Sequence, residues 1–300
     1  VIKKFLGYVE IMTKITSVFA FLITIAYLFY IKTPINWGLT LIFFASMFLF
    51  DLATTAINNY IDTKTNDQKL QFERSTARII IYLLLAISTG LGLYLAYLTD
   101  IVILFVGGIC FLCGIFYTYG PVPISRQPLG EVFSGIFYGL LIPFILLYIN
   151  MPKGTYLLLN LNLEAVTISL KVMPLITIVL FSVAPICTTA NIMLANNICD
   201  LEKDIKVKRY TLPYYLGNKA LYLFAGIYYL TYAATIAMVA MKILPLICLA
   251  SLLTIFPVQK NISRFFNTQD KSTTFVLSVR NYIIIMGTNT LMIFIGGLLP

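Results

Sequence analysis

Long apolar runs separated by short polar stretches dominate the chain. Nine runs, near residues 14–31, 37–59, 79–98, 101–119, 130–149, 173–196, 219–241, 243–259 and 279–298, each approach the ~20 residues that a helix needs to cross ~30 Å of hydrocarbon. The pattern predicts an all-α, polytopic membrane protein forming a single transmembrane domain over 1–300. Ahead of the first run, Lys3, Lys4 and Glu10 sit between apolar residues, and this stretch reads as a short interfacial helix. No small-residue cleavage site follows the first run, so it is expected to stay as a span rather than leave as a signal peptide. The stretch 150–172 alternates in part, with Leu157, Leu159, Leu161 and Leu163, and is read as a short strand or a surface helix.

Composition supports the membrane reading. The 300 residues are 60% hydrophobic and 11% charged, against about 25% charged in soluble domains. Such a chain cannot cover a soluble surface. Histidine is absent, which excludes His-ligated zinc, iron or haem and any Ser-His or Cys-His catalytic pair. Cys110 and Cys113 form a CxxC inside an apolar run with no second pair nearby, which suits packing better than redox or metal chemistry. The net charge of +9 fits anionic lipid or an anionic substrate, and no nucleic-acid partner is expected.

The placement of the 21 basic residues sets an orientation. Only Lys32, Lys153, Lys171 and Lys242 fall on one side of the nine predicted spans; the other 17 fall on the opposite side. The positive-inside rule then puts the N-terminus, and the loops after the second, fourth, sixth and eighth spans, in the cytoplasm. The protein is expected in the cell membrane. Most of the 12 acids gather at the same predicted face. Asp51 lies about two turns inside the second run, and is either a buried polar contact or part of a site.

Two acidic stretches stand out. Asn58-Asn59-Tyr60-Ile61-Asp62, followed by Asp67, ends the second run, and Asn196-Asn197-Ile198-Cys199-Asp200, followed by Asp204, ends the sixth. Asp200 and Asp204 are four apart and share one face of a helix. Like charges there repel unless a cation lies between them. Oxygen-only ligands suit Mg²⁺, which is commonly held by one or two carboxylates plus substrate phosphate oxygens. The asparagines, one turn earlier, can coordinate metal or orient the carboxylates. Ordinary loop polarity is the alternative, but two matched copies among 12 acids favour a metal site. The copies suggest internal repetition: two four-helix halves, about 14–119 and 130–259, plus a ninth helix at 279–298. Arg74 and Arg78 follow the first copy, and Lys203, Lys206, Lys208 and Arg209 follow the second. Some of these serve topology and lipid headgroups. Arg74, Arg78, Lys206 and Arg209 are candidates to contact phosphate.

Asn58-Asn59-x-x-Asp62 with Asp67, and Asp200-x-x-x-Asp204, resemble the two aspartate-rich motifs of the UbiA superfamily of intramembrane prenyltransferases. The resemblance covers essentially the whole chain. It is strongest toward the 1,4-dihydroxy-2-naphthoate prenyltransferase branch, through Tyr117-Thr118-Tyr119-Gly120-Pro121-Val122-Pro123, Leu129-Gly130-Glu131, and Asn196 to Asp204 followed by Arg209, Thr211-Leu212 and Leu216-Gly217. The sequence departs from the family at Asn59, where an acid is usual, and at Asn66, where Gly is common. The first motif is therefore expected to bind its metal less tightly or through fewer carboxylates.

The resemblance implies transfer of an isoprenyl chain from an allylic polyprenyl diphosphate to an aromatic acid. For dihydroxynaphthoate it implies loss of CO₂ to give demethylmenaquinone. Asp62, Asp67, Asp200 and Asp204 would hold Mg²⁺, with Asn58, Asn59, Asn196 and Asn197 beside the diphosphate. An allylic cation needs aromatic faces and exclusion of water. Phe116, Tyr117, Tyr119 and Tyr138 are candidates, and Tyr117 and Tyr119 are preferred for their position in a loop on the acidic side. Lys14, Arg126 and Glu131 are candidates to position the acceptor. Rival readings are a 4-hydroxybenzoate or tetrapyrrole acceptor and, in another class, a secondary transporter. A transporter would place its charges near midplane rather than at one face.

Overall fold

A computed structural model of the chain describes residues 2–64, 69–121, 123–162 and 164–299. Among the described residues, nine helices are long and apolar enough to cross a membrane. They are Ile11–Tyr30, Trp37–Asp62, Arg74–Leu98, Ile101–Thr118, Gly130–Asn150, Val172–Cys199, Lys219–Ala240, Leu246–Asn267 and Val276–Leu298, here the first to ninth spans. Helix is the expected outcome, because in hydrocarbon a helix satisfies its backbone polar groups within one segment. The stretch between the fifth and sixth spans is a hairpin. Leu157–Leu161 pairs antiparallel with Val166–Leu170, Leu157 opposite Leu170.

Several boundaries differ from the sequence expectation, and polarity explains those of four spans. The second and sixth spans run on to Asp62 and Cys199, so both acidic motifs begin inside helix. The third begins at Arg74, with polar residues in its first turn. The eighth starts as a 3-10 stretch, Leu246–Thr254, and continues as an α-helix to Asn267. Gln259, Lys260, Asn261, Ser263 and Arg264 make its last turns look like loop. Yet Val258, Ile262 and Phe265, spaced four and three apart, are buried, which is the core-facing stripe of an amphipathic helix.

The chain divides into two compact units. One comprises Val1–Val18 and Asn36–Ser125; the other comprises Phe19–Ile35 and Arg126–Pro300. In the first, the second and third spans pack through small and branched residues. Ala53, Ala56, Ile57, Ala77 and Ile81 form a core that also buries Tyr8 of the short N-terminal helix Ile2–Tyr8. In the second, Leu194 and Ala195 of the sixth span meet Phe224 and Tyr228 of the seventh, Val258, Ile262 and Phe265 of the eighth, and Ile285 of the ninth.

A close helix contact in the second unit joins the fifth and sixth spans. The fifth widens into a π turn at Phe137–Leu141, and the sixth carries Pro185 inside its helix. At Gly139 an added Cβ would lie 2.3 Å from Ile186 N and 2.5 Å from Ile186 Cα. Only glycine permits that approach, which is how membrane helices gain packing without a hydrophobic driving force between them. Gly139→Ala is expected to destabilise the fold by about 1–3 kcal/mol through overpacking. Thermal unfolding in detergent reads this as a lower midpoint. Gly107→Ala is the control, because nothing lies within 4 Å of its added Cβ. Equal losses in the two variants would rule out close approach as the cause.

Candidate active site

The first acidic motif is the last turn of the second span. Asn58 Oδ1 accepts a short hydrogen bond from Thr118 Oγ1, the final residue of the fourth span. That bond ties the motif to the start of the Tyr119 turn. Gly120 follows with φ 128°, a conformation that side chains resist, so the chain turns away and leaves Tyr119 exposed. Tyr117 is half-buried one residue before Thr118. Asn59 Nδ2 donates to the Tyr8 carbonyl at 2.9 Å, and the Tyr8 hydroxyl donates to Ala56 O at 3.0 Å. Burial, with Tyr60 adding, pushes the Tyr8 phenol above its usual range. Asp62 is exposed at the helix end. Asp67 lies outside the described residues, as does Asn66.

Arg74 is committed to this helix end. Its guanidinium donates to Tyr60 O at 3.1 Å and Thr63 O at 3.0 Å, and lies 5.3 Å from the Tyr60 ring centre. These are the orphan carbonyls of a helix C-terminus, where a cation is favourable. Arg78 is exposed one turn later.

Lys14 and Asp51 explain each other. They pair at 2.8 Å, with side chains each only 4% exposed. The Lys14 ammonium also donates to Asp51 O at 3.0 Å and to Thr55 Oγ1, so all three of its protons are used. Ser17 Oγ donates to Asp51 Oδ2 at 2.6 Å. The deep carboxylate is a helix-pairing device linking the first span to the second.

The second motif straddles a break. The sixth span ends at Cys199, Asp200 leaves helical geometry at ψ 4°, and a short helix, Leu201–Lys206, restarts. The Asp204 N–H still donates to Asp200 O at 2.9 Å, so the one-turn relation between the two acids survives. Asn197 is buried, and its Nδ2 donates to the buried Glu131 Oε1 at 2.8 Å. The outer oxygens, Glu131 Oε2 and Asn197 Oδ1, are buried without a hydrogen-bond partner. Asp204 is buried, with Arg209 Nη1 3.8 Å away. The Arg209 N–H closes back on Asp204 O at 2.8 Å, and Tyr210 N donates to Arg126 O at 3.2 Å. Arg126 and Lys206 are themselves exposed.

The sequence reading gave Lys271 no part in this motif. Its ammonium lies 2.7 Å from Asp200 Oδ2 and also donates a short bond to Asn196 Oδ1. Lys203 is a distant second, 3.8 Å from Asp200 Oδ1 and mostly exposed. Lys271 is presented by a turn built around Asp270. Asp270 Oδ1 accepts from Ser272 N and Oγ and from Thr273 N and Oγ1, at 2.6–3.1 Å. Those bonds hold the Asp270 carboxyl down at about 2. The clue in the sequence was Asp270 followed by Ser and Thr at the second and third positions, a local turn signature. Nothing local pointed to Asp200.

The residues fit a divalent cation. Asn196 Oδ1 and Asp200 Oδ2 already converge on one positively charged group, and both are oxygen donors. Among the described residues no three His, Cys, Asp or Glu side chains cluster as a complete protein cage. Mg²⁺ characteristically completes its shell from phosphate and water.

Comparison with known proteins adds the following. The UbiA prenyltransferase family matches residues 18–282. The 1,4-dihydroxy-2-naphthoate octaprenyltransferase of Bacillus subtilis (strain 168) is 28% identical over 208 residues, covering 65% of this chain and 60% of that relative's length. Among solved structures, a digeranylgeranylglyceryl phosphate synthase matches with TM-score 0.65 at 18% identity, over 99% of this chain and 98% of that one. A UbiA homologue from Aeropyrum pernix K1 matches with TM-score 0.63 at 19% identity, over 90% and 96%. One from Archaeoglobus fulgidus, bound to GPP and Mg²⁺, matches with TM-score 0.62 at 14% identity, over 99% and 100%. These likenesses show the fold.

The Lys14–Asp51 pair yields a test. Asp51→Leu alone strands a buried ammonium and is expected to cost about 3–5 kcal/mol. The double variant Lys14→Met/Asp51→Leu should recover most of that loss in thermal unfolding. No recovery would mean that the pair is not the linking device.

Proposed function

The chain belongs to the UbiA prenyltransferase family, and we propose that it transfers a polyprenyl chain from its allylic diphosphate to 1,4-dihydroxy-2-naphthoate, with Mg²⁺ held at the aspartate motifs. The naphthoate acceptor rests on the Bacillus relative, and Mg²⁺ on the metal-bound Archaeoglobus structure. The observation that carries the site reading is the convergence of Asn196 and Asp200 oxygens on a single cation position.

In this reading Asp200 and Asp204, with Asp62 and Asp67, are the metal-binding carboxylates. When bound there, Mg²⁺ offsets charge on the diphosphate oxygens as the leaving group departs. The chain's residues do the rest. Arg209 and Lys206 lie within five residues of Asp204 and offer donors to phosphate. The allylic C–O bond breaks with its electron pair on the diphosphate. Tyr117 and Tyr119 are the aromatic residues assigned to stabilise the resulting carbocation. The ring carbon of the acceptor forms the new C–C bond. The carboxylate leaves as CO₂, its bonding pair returning to the ring, and the product is the hydroquinone form of demethylmenaquinone.

Glu131 is the preferred acceptor-positioning group, because Glu131 Oε2 and Asn197 Oδ1 are buried acceptors in want of a donor, and a naphthol hydroxyl is one. Arg126 is exposed beside the same segment and can meet a carboxylate. Lys14, with its protons spent on Asp51 and Thr55, is assigned to helix pairing instead. The positive-inside bias supports an N-terminus and acidic motifs facing the cytoplasm.

Membranes containing the protein, given dihydroxynaphthoate, 4-hydroxybenzoate and a series of prenyl diphosphates, are expected to yield the decarboxylated prenyl naphthalenediol, identified by mass. Turnover of hydroxybenzoate alone would overturn the acceptor assignment. Asp200→Asn and Asp62→Asn should each lower turnover by about 100-fold, the scale of losing one transition-state charge contact. Both should also abolish Mg²⁺-dependent thermal stabilisation by prenyl diphosphate. Retained stabilisation would remove these aspartates from the site.

A further inference from the structure

We infer that Lys271 is a resident counter-cation of the second motif, which yields Asp200 to the divalent ion and then binds the diphosphate that arrives with it. The inference rests on the reading of the motif as a metal–diphosphate site and adds a residue to it.

Three observations carry it. The ammonium of Lys271 sits on the two oxygens, Asp200 Oδ2 and Asn196 Oδ1, that the metal reading needs. An ammonium hydrogen-bonded at 2.7 Å and a Mg²⁺ bonded at about 2.1 Å cannot both address one carboxylate oxygen from the same direction, so the two compete. The second observation is the holder. Beyond the Asp270 bonds, Thr274 N and Phe275 N both donate to Asp270 O at 3.0 Å. Thr274 Oγ1 donates to Thr268 O at 2.8 Å, and Gln269 Nε2 donates to Phe265 O and Phe266 O. The backbone between the eighth and ninth spans is thus fixed by hydrogen bonds that never involve Lys271. The third is the side chain. It is 39% exposed, lies with Nζ 4.8 Å from the Phe275 ring centre, and has four flexible carbons between a fixed backbone and a movable charge.

The electrostatics set the order of events. Without a competing cation, Lys271 neutralises Asp200, and the half-buried carboxylate is not left alone at the membrane edge. A divalent ion on Asp200 repels the ammonium. A diphosphate bound to that ion brings several negative oxygens beside it, and Lys271, with three donors, moves from carboxylate to phosphate. Lys271 therefore opposes binding of the metal alone and favours binding of the metal together with diphosphate. That difference selects for a complete substrate.

The test uses the full chain in lipid nanodiscs, with Mn²⁺ counted by electron paramagnetic resonance and inorganic pyrophosphate as the soluble anion. Lys271→Met is expected to bind Mn²⁺ alone about 10-fold more tightly than the parent, and pyrophosphate in the presence of Mn²⁺ about 10-fold more weakly, the scale of one charged hydrogen bond in each direction. Lys271→Arg keeps the charge and should stay near the parent in both. If Lys271→Met fails to fold, Asp270→Ala removes the acceptor at the centre of the holder without touching the motif and should shift both affinities in the same two directions. Weakening of both affinities would make Lys271 a structural support for Asp200 and overturn the inference, as would no change in either. Tighter Mn²⁺ with unchanged pyrophosphate would overturn the phosphate-binding half. A parent protein that binds neither Mn²⁺ nor pyrophosphate would instead overturn the metal–diphosphate reading itself, and this inference with it.

Discussion

A carboxylate near hydrocarbon has to be met by a cation or by several hydrogen-bond donors, because the surrounding medium solvates charge poorly. The chain has few acids and spends a specific cation on several of them. Lys14 sits on Asp51, Arg209 approaches Asp204, and Lys271 sits on Asp200. The three pairs differ in what they permit. The Lys14 pair is closed: every proton is used and both side chains are buried. The other two involve partly exposed cations at longer range or on a movable side chain. A closed pair fixes helices. An open pair leaves a carboxylate that another cation can take. The three pairs thus differ in how fully each charge is compensated.

The two Asn-Asn sequences divide their work in the same way. In each, the first asparagine accepts through Oδ1, from Thr118 for Asn58 and from Lys271 for Asn196. In each, the second donates through Nδ2 to a neighbouring element, to Tyr8 O for Asn59 and to Glu131 Oε1 for Asn197. The first amide thus accepts from a side chain, and the second donates to a neighbouring element and braces the helix end. Repetition of that local arrangement is stronger than repetition of letters, since it reproduces donor and acceptor roles as well as spacing.

Much of this was legible from sequence for a physical reason. A span must be apolar over its whole length, so hydropathy alone located nine of them, and the motifs fell where apolar character stopped. Where helices are amphipathic, hydropathy misleads: the turns of the eighth span from Gln259 onward have polar letters and a buried stripe. Contacts between distant segments left no local trace. Lys271 was one base among seventeen on its predicted side, and only folding brings it to Asp200. Lys14 had a clearer signal, because a lone acid inside a span requires a partner, and Lys14 is a base near the start of a span.

Asn59 shows how such bracing constrains the chemistry. The Tyr8 carbonyl it meets is an acceptor, so the side chain opposite must donate. An aspartate there would set a carboxylate against a carbonyl oxygen and lose the bond. The N-terminal helix is then held by Asn59 from one side and by the Tyr8 hydroxyl on Ala56 O from the other. A carboxylate at position 59 and this anchor for the N-terminal helix are mutually exclusive, because only an amide nitrogen can donate to Tyr8 O. The chain has taken the anchor, and any metal at the first motif must find its carboxylates among Asp62 and the residues that follow.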